Sequence, residues 1–189
     1  MRKLAGFLMG IAGLVLTVSA DGALAATECN LPETISGTVT GGLVVNDGDF
    51  CVLDGAHISG GVRVNEGGIL IGCASTINGG LVANGATNLI FGAEEIDCEG
   101  DVINGGVRIS NTGPSVLGAP LALERSVING GVHLTGNQGP IAVAGDTIAG
   151  GLFCSNNVFD LCDEGMSNVV TGAVRCEFVP VGPECHGTE

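Results

Sequence analysis

The residues best equipped for chemistry in this 189-residue chain are its eight cysteines, Cys29, Cys51, Cys73, Cys98, Cys154, Cys162, Cys176 and Cys185. Their successive separations of 22, 22, 25, 56, 8, 14 and 9 residues contain no Cys-x-x-Cys pair of the kind that grips a structural zinc. An even number of cysteines in an oxidising compartment reads instead as up to four disulfides. One set joins Cys29 to Cys51, Cys73 to Cys98, Cys154 to Cys176 and Cys162 to Cys185, and spacing alone leaves other connectivities open.

Carboxylates are the second resource. Glu94, Glu95, Asp97, Glu99 and Asp101 form the densest acidic run, and oxygen ligands of this kind suit calcium. The run lacks the alternation of Asp or Asn with Gly that builds a calcium loop, so a solvated loop is the expectation. Asp47, Asp49, Asp54 and Glu66 offer the paired carboxylates on which glycoside hydrolysis depends, but acidic residues at turns are commonplace. The chain holds no Gly-x-Ser-x-Gly elbow, no His-Glu-x-x-His and, beyond Lys3, no lysine to build a phosphate loop. No catalytic, cofactor or metal site is assigned, and the protein is expected not to be an enzyme.

The chain that positions these residues has 34 glycines, six aromatic residues that are all Phe, and 45% hydrophobic residues. That hydrophobic content is too high for disorder despite a net charge of −14, and the length suits one domain. Arg2 and Lys3 precede an apolar run from Leu4 to Val18, and Ala23-Leu24-Ala25 supplies small residues before a cleavage point. Residues 1–25 therefore read as a secretory signal peptide, residues 26–176 as the folded domain and residues 177–189 as a tail. Asp21 and Gly22 interrupt the apolar run short of the roughly 20 residues a membrane span requires. Without Arg2, Lys3 and Asp21, four basic residues face nineteen acidic ones, a net charge of −15. Such a field repels nucleic acid and anionic lipid, so neither is expected as a partner. The expected location is extracellular or on a cell surface.

Self-similarity is the dominant signal. VTGGLVV from Val39, ISGGVRV from Ile58, INGGLVA from Ile77, INGGVRI from Ile103, INGGVHL from Ile128, IAGGLFC from Ile148 and VTGAVRC from Val170 are copies of one unit. Their first glycines, Gly41, Gly60, Gly79, Gly105, Gly130, Gly150 and Gly172, are separated by 19, 19, 26, 25, 20 and 22 residues. Each is expected to turn a corner, because glycine accepts positive φ and has no side chain to crowd the coil above. Beyond the corner, Leu43, Val62, Leu81, Val107, Val132, Leu152 and Val174 form one apolar column. Val45, Val64, Ala83, Ile109, Leu134, Cys154 and Cys176 form another, and alternation turns both inward. A further apolar strand follows in most copies, as in Phe50-Cys51-Val52-Leu53 and Leu89-Ile90-Phe91.

The fold class expected is all-β: a right-handed, disulfide-braced parallel β-helix, or β-solenoid, of about seven coils. Asn-Gly at Asn78, Asn104 and Asn129 also suits hairpin turns. An antiparallel meander, however, does not require the constant apolar register that these copies keep. The motif apolar-x-Gly-Gly-apolar-x-apolar resembles that of small secreted, Gly-rich parallel β-helix proteins of bacteria and, more distantly, of bactofilin-type polymer-forming solenoids. The resemblance implies architecture and, weakly, self-association. The exported and Cys-rich character departs from bactofilins.

Between the two inward columns lie Val44, Arg63, Val82, Arg108, His133, Phe153 and Arg175, which should face outward. Arg63, Arg108, His133 and Arg175 would make a basic stripe on an acidic rod, either paired with neighbouring carboxylates or docking an anionic surface. Ice binding is set aside here, because it calls for an outward ladder of threonines and this column is not one. The function expected is that of a secreted, non-catalytic structural or surface-interaction protein whose partner is a cell-wall or surface polymer, or a second copy. The alternative is a carbohydrate-binding or carbohydrate-active β-helix of pectate-lyase type, which the scarcity of aromatic residues disfavours.

Overall fold

The computed structural model describes residues 25–30, 32–92, 97–114, 121–159, 161–163 and 165–179. The expected signal peptide apart from Ala25, Glu94, Glu95, Cys185 and the tail from residue 180 lie outside the described residues.

Each coil contains three short strands. The first coil holds β1 (Thr27–Cys29), β2 (Glu33–Ile35) and β3 (Thr38–Val39), and the second β4 (Leu43–Val45), β5 (Phe50–Asp54) and β6 (His57–Ile58). The third runs through β7 (Val62–Val64), β8 (Ile69–Cys73) and β9 (Thr76–Ile77), and the fourth through β10 (Leu81–Asn84), β11 (Asn88–Phe91) and β12 (Val102–Ile103). Then come β13 (Val107–Ser110), β14 (Leu121–Glu124) and β15 (Val127–Ile128), followed by β16 (Val132–Thr135), β17 (Ile141–Ala144) and β18 (Thr147–Ile148). The last described strands are β19 (Leu152–Ser155), β20 (Leu161–Cys162), β21 (Val169–Val170), β22 (Val174–Arg175) and β23 (Phe178–Val179).

Every third strand stacks on its counterpart, giving three sheets of eight, eight and seven strands. The first sheet starts at β1, the second at β2 and the third ends at β3. Registers such as Leu81↔Val107 and Ile103↔Ile128 are parallel, as are all the others. The protein is thus an all-β parallel solenoid of about seven turns, and the meander is excluded. One coil precedes the first Gly-Gly copy, and β23 pairs with β20 beyond residue 176.

The inward columns explain why the chain coils. Leu43, Val62, Leu81, Val107, Val132 and Leu152 are buried, and Ile58, Ile77, Ile103, Ile128 and Ile148 of the third sheet are fully so. Each buried Val, Leu or Ile contributes roughly 1.5–3 kcal/mol. Val174 departs from its column at 48% exposure, because among the described residues β22 is the last strand of its sheet, with a neighbour on one side.

Of the two reasons expected for the corner glycines, the absence of a side chain holds and positive φ does not. Of the seven first glycines only Gly41 has positive φ, at 103°. The left-handed residues sit at the other two corners, for example Gly136 at 67° and Asn111 at 54° after the first sheet, and Ala74 at 50° and Gly145 at 67° after the second. At the Gly-Gly corner the requirement is proximity. A Cβ on Gly105 would lie 2.7 Å from the carbonyl carbon of Gly79, and one on Gly130 would lie 2.6 Å from the amide nitrogen of Gly106. Backbone stacks on backbone here, with the Gly79 N–H donating to Gly60 O at 2.9 Å.

Beside this spine the asparagines form an exposed ladder rather than hairpin turns. Asn129 Nδ2 donates to Asn104 Oδ1, and Asn104 Nδ2 to Asn78 Oδ1, each at 2.8 Å.

Disulfides close the structure at both ends. Cys29–Cys51 links the first sheet of one coil to the second sheet of the next, with Cα atoms 6.1 Å apart. Cys154–Cys176 joins adjacent coils within one inward column, at 4.9 Å. Cys73–Cys98 ties down the longest insert. The partner expected for Cys162, Cys185, lies outside the described residues.

Replacing Gly105 or Gly130 with Ala should cost about 1–3 kcal/mol or more, because the methyl group meets backbone that cannot move aside. Gly113→Ala, where a Cβ meets nothing within 4 Å, should stay within about 0.5 kcal/mol of the parent. Urea unfolding of the three variants checks the contrast, and equal losses would refute the close-packing account.

Candidate functional site

The outward column of the first sheet is built by register alone. Val44 pairs with Arg63, Arg63 with Val82, Val82 with Arg108, Arg108 with His133, His133 with Phe153 and Phe153 with Arg175. Parallel strands lie about 4.8 Å apart, so Arg63 and Arg108 stand about 10 Å from each other on either side of Val82. At the far end the rings of His133 and Phe153 stack with centroids 4.9 Å apart and planes 21° from parallel. The Arg175 guanidinium lies 5.9 Å from the Phe153 centroid, within the range of cation–π attraction. Arg63, Arg108, His133 and Arg175 are all exposed. Among the described residues none of the three arginines forms an ion pair with a carboxylate.

The fourth arginine does different work. Arg125 donates through Nε and Nη2 to Gly92 O at 3.1 and 2.7 Å, and through Nη2 to Cys98 O at 2.7 Å. It therefore pins both ends of the insert that Cys98 also anchors.

The carboxylates singled out by sequence do not converge. Asp97 and Glu99 are exposed on the insert, whereas Asp101 is buried within the solenoid, so the acidic run is split between solvent and core. Among the described residues no group of three His, Cys, Asp or Glu side chains is arranged to hold a metal. Asp49 Oδ2 accepts from the Asn46 N–H at 3.0 Å and shapes a turn, and Asp54 lies at the opposite end of β5. Asp47 and Glu66 border a shallow, open depression with Thr87 and Pro114. Both are exposed, without the apolar enclosure that holds a general acid protonated.

No family model, curated protein or solved structure matches this chain. The functional argument therefore rests on its own residues. No helix among the described residues is long and apolar enough to cross a membrane, and the three disulfides fit an oxidising environment.

Sequence reasoning missed a buried polar column at the corner between the second and third sheets. Ala56 N–H donates to Ser75 Oγ, Ser75 N–H to Asp101 Oδ1, Asp101 N–H to Ser126 Oγ, Ser126 N–H to Asp146 Oδ1 and Asp146 N–H to Asn168 Oδ1, at 2.7–3.1 Å. Each side-chain oxygen satisfies the amide that the preceding coil exposes where the strand breaks off. A second such column runs from Thr112 through Asn137 to Asn157, with Asn137 fully buried. The signal was a Ser, Asp or Asn two residues before the isoleucine of most copies.

The aspartates in that column keep one oxygen each, Oδ2, without a hydrogen-bond partner. Burial raises Asp101 from 3.8 to about 7, against the lowering effect of the Ser75 N–H. Burial raises Asp146 to about 8, aided by the Glu124 carboxylate and opposed by the Ser126 N–H. The folded protein thus holds these protons more tightly than the unfolded chain. Their stabilising contribution is complete below the ordinary carboxylate range and is lost as pH rises through about 7 and about 8. Thermal melts should show stability declining between about pH 4 and about pH 8, where each raised unit of pKa is worth about 1.4 kcal/mol. Asp101→Asn with Asp146→Asn supplies the neutral acceptor already present at Asn168 and should flatten that decline. A parent whose melting temperature rises over this range would contradict the assignment.

Proposed function

We propose that this protein is an exported, non-catalytic β-solenoid that acts by surface contact, and that its first sheet docks an anionic polymer of a cell wall or surface. The observation that carries this reading is the alignment of Arg63, Arg108, His133 and Arg175 on one outward column, with the three arginines unpaired among the described residues. On a chain of net charge −14, three arginines on one face without a carboxylate partner among the described residues are the natural contact for an opposite charge. Export is supported by the leader-like residues 1–25 and by the disulfides. The resemblance to secreted Gly-rich β-helix proteins agrees with this reading. Carbohydrate stacking is less well served, since Phe153 is half-buried and already engaged with His133.

Replacing Arg63, Arg108 and Arg175 together with Gln should abolish retention on a polyanionic matrix such as teichoic acid or alginate. Retention of the parent should weaken as salt rises past about 0.1 M, where the Debye length falls to about 10 Å. A parent that ignores every anionic matrix at low salt would overturn the proposal. Salt-sensitive dimers in sedimentation without polymer retention would reassign the stripe to a second copy of the chain.

A further inference from the structure

The exposed asparagine ladder beside the Gly-Gly spine has a direction. Backbone hydrogen bonds fix its rungs, with the Asn78, Asn104 and Asn129 N–H groups donating to Ile58, Ile77 and Ile103 O at 2.9, 2.8 and 2.9 Å. Each side-chain amide then keeps one useful freedom, a half-turn that exchanges its oxygen and its nitrogen. Asn129 Nδ2 donates to Asn104 Oδ1 and Asn104 Nδ2 to Asn78 Oδ1, so Asn104 turns its oxygen to one neighbour and its nitrogen to the other. Asn78 is held in the same sense, because its Nδ2 lies 3.0 Å from His57 Nε2. Every rung donates toward the N-terminal end of the rod, and the series ends on a ring nitrogen.

An amide nitrogen only donates, so His57 Nε2 is the acceptor and the ring proton sits on Nδ1. Protonated histidine has a donor at both nitrogens, and the same contact then sets N–H against N–H. A half-turn of Asn78 relieves this by presenting Oδ1 to the ring, but it brings Asn78 Nδ2 against Asn104 Nδ2. Asn104 and then Asn129 turn for the same reason. The reversed ladder keeps every internal hydrogen bond and runs the other way. Beyond the last rung Ala149, whose N–H stacks on Ile128 O, has no polar side chain, and Asn129 Oδ1 has no partner among the described residues. Reversal therefore exchanges an exposed acceptor for an exposed donor at Asn129, three coils and about 14 Å from His57.

We propose that His57 and the three asparagines form a proton-driven relay, in which protonation of His57 reverses the ladder as a unit. Strands β3 and β9 set Thr38 and Thr76 beside His57, and neither titrates. Asp54, exposed at the end of β5, is the charged residue closest to His57 in sequence, and among the described residues the two form no ion pair. The relay is separate from the basic stripe and does not depend on polymer docking.

Histidine side chains change charge between about pH 5 and 8, which sets the range for the test. NMR of the nitrogen-15-labelled protein follows the ring nitrogens of His57 and the side-chain amides of Asn78, Asn104 and Asn129. One midpoint shared by the ring and all three amides is expected, with Nε2 the bare nitrogen at the alkaline end. Asn111, which donates to Asn84 Oδ1 at another corner, should not move with them. His57→Gln should abolish the shift at every rung, and His133→Gln, on the first sheet, should leave it intact. Asn104→Ala should let Asn78 follow His57 while Asn129 stays still, with melting curves showing that the variants fold. Movement of Asn78 alone in the parent, rungs that stay fixed while His57 titrates, a shift shared by Asn111, or an Asn129 that still responds in Asn104→Ala would each overturn the proposal. Should Asn104→Ala fail to fold, the shared midpoint and its loss in His57→Gln decide the matter. Failure of polymer retention would leave the relay untouched.

Discussion

The contact on which everything else depends is backbone against backbone at the Gly-Gly corner. With Gly105 directly over Gly79, and Gly130 over Gly105, equivalent residues of successive coils are brought into vertical alignment. That alignment lets three parallel sheets form at once, and it turns any residue type that recurs in the repeat into a straight column. A core, a polar ladder and a surface stripe are then consequences of one register. Loss of alignment at a single corner would displace all three sheets of that coil, because no strand among the described residues exceeds five residues and none has independent stability.

Short strands leave many backbone amides near corners, and the solenoid satisfies them with side chains from the adjacent coil. Ser75, Asp101, Ser126, Asp146 and Asn168 supply oxygens at one corner, and Asn137 and Asn157 at another. The buried position demands an acceptor and tolerates several ways of providing one. Aspartate brings a second oxygen that the core leaves unpaired, which is why the protonated form is favoured there. Asn168 shows the alternative, its amide nitrogen donating to Val143 O at 2.6 Å.

Much of the architecture was legible because apolar alternation and glycine spacing are direct images of a stacked repeat. The inward columns of the first sheet and the order of its outward column could be written down from the copies alone. Two features were not legible for physical reasons. The third strand of each coil has only two paired residues, as in Thr76–Ile77, too few to show a period, so its outward face went unseen. Which of two causes sets the glycine requirement was left open, because sequence does not distinguish a residue chosen for its torsion angle from one chosen for its thinness. Asp101 likewise read as part of an acidic loop. Only the fold shows that it marks the return of the chain to the core after the insert.

The bonds that fasten the two ends have a consequence for variation. Cys29–Cys51 and Cys154–Cys176 each tie neighbouring turns at an end, and among the described residues no disulfide joins turns between the fourth coil and Cys154. Cys73–Cys98 ties the third coil to the insert of the fourth and links neither end to the other. In a nearest-neighbour stack, whole turns can be gained or lost between the bolted ends with every remaining interface preserved. The molecule is therefore built like a ruler, in which duplication or deletion of one repeat changes the reach of each face and the number of its rungs while leaving the chemistry of a rung unaltered.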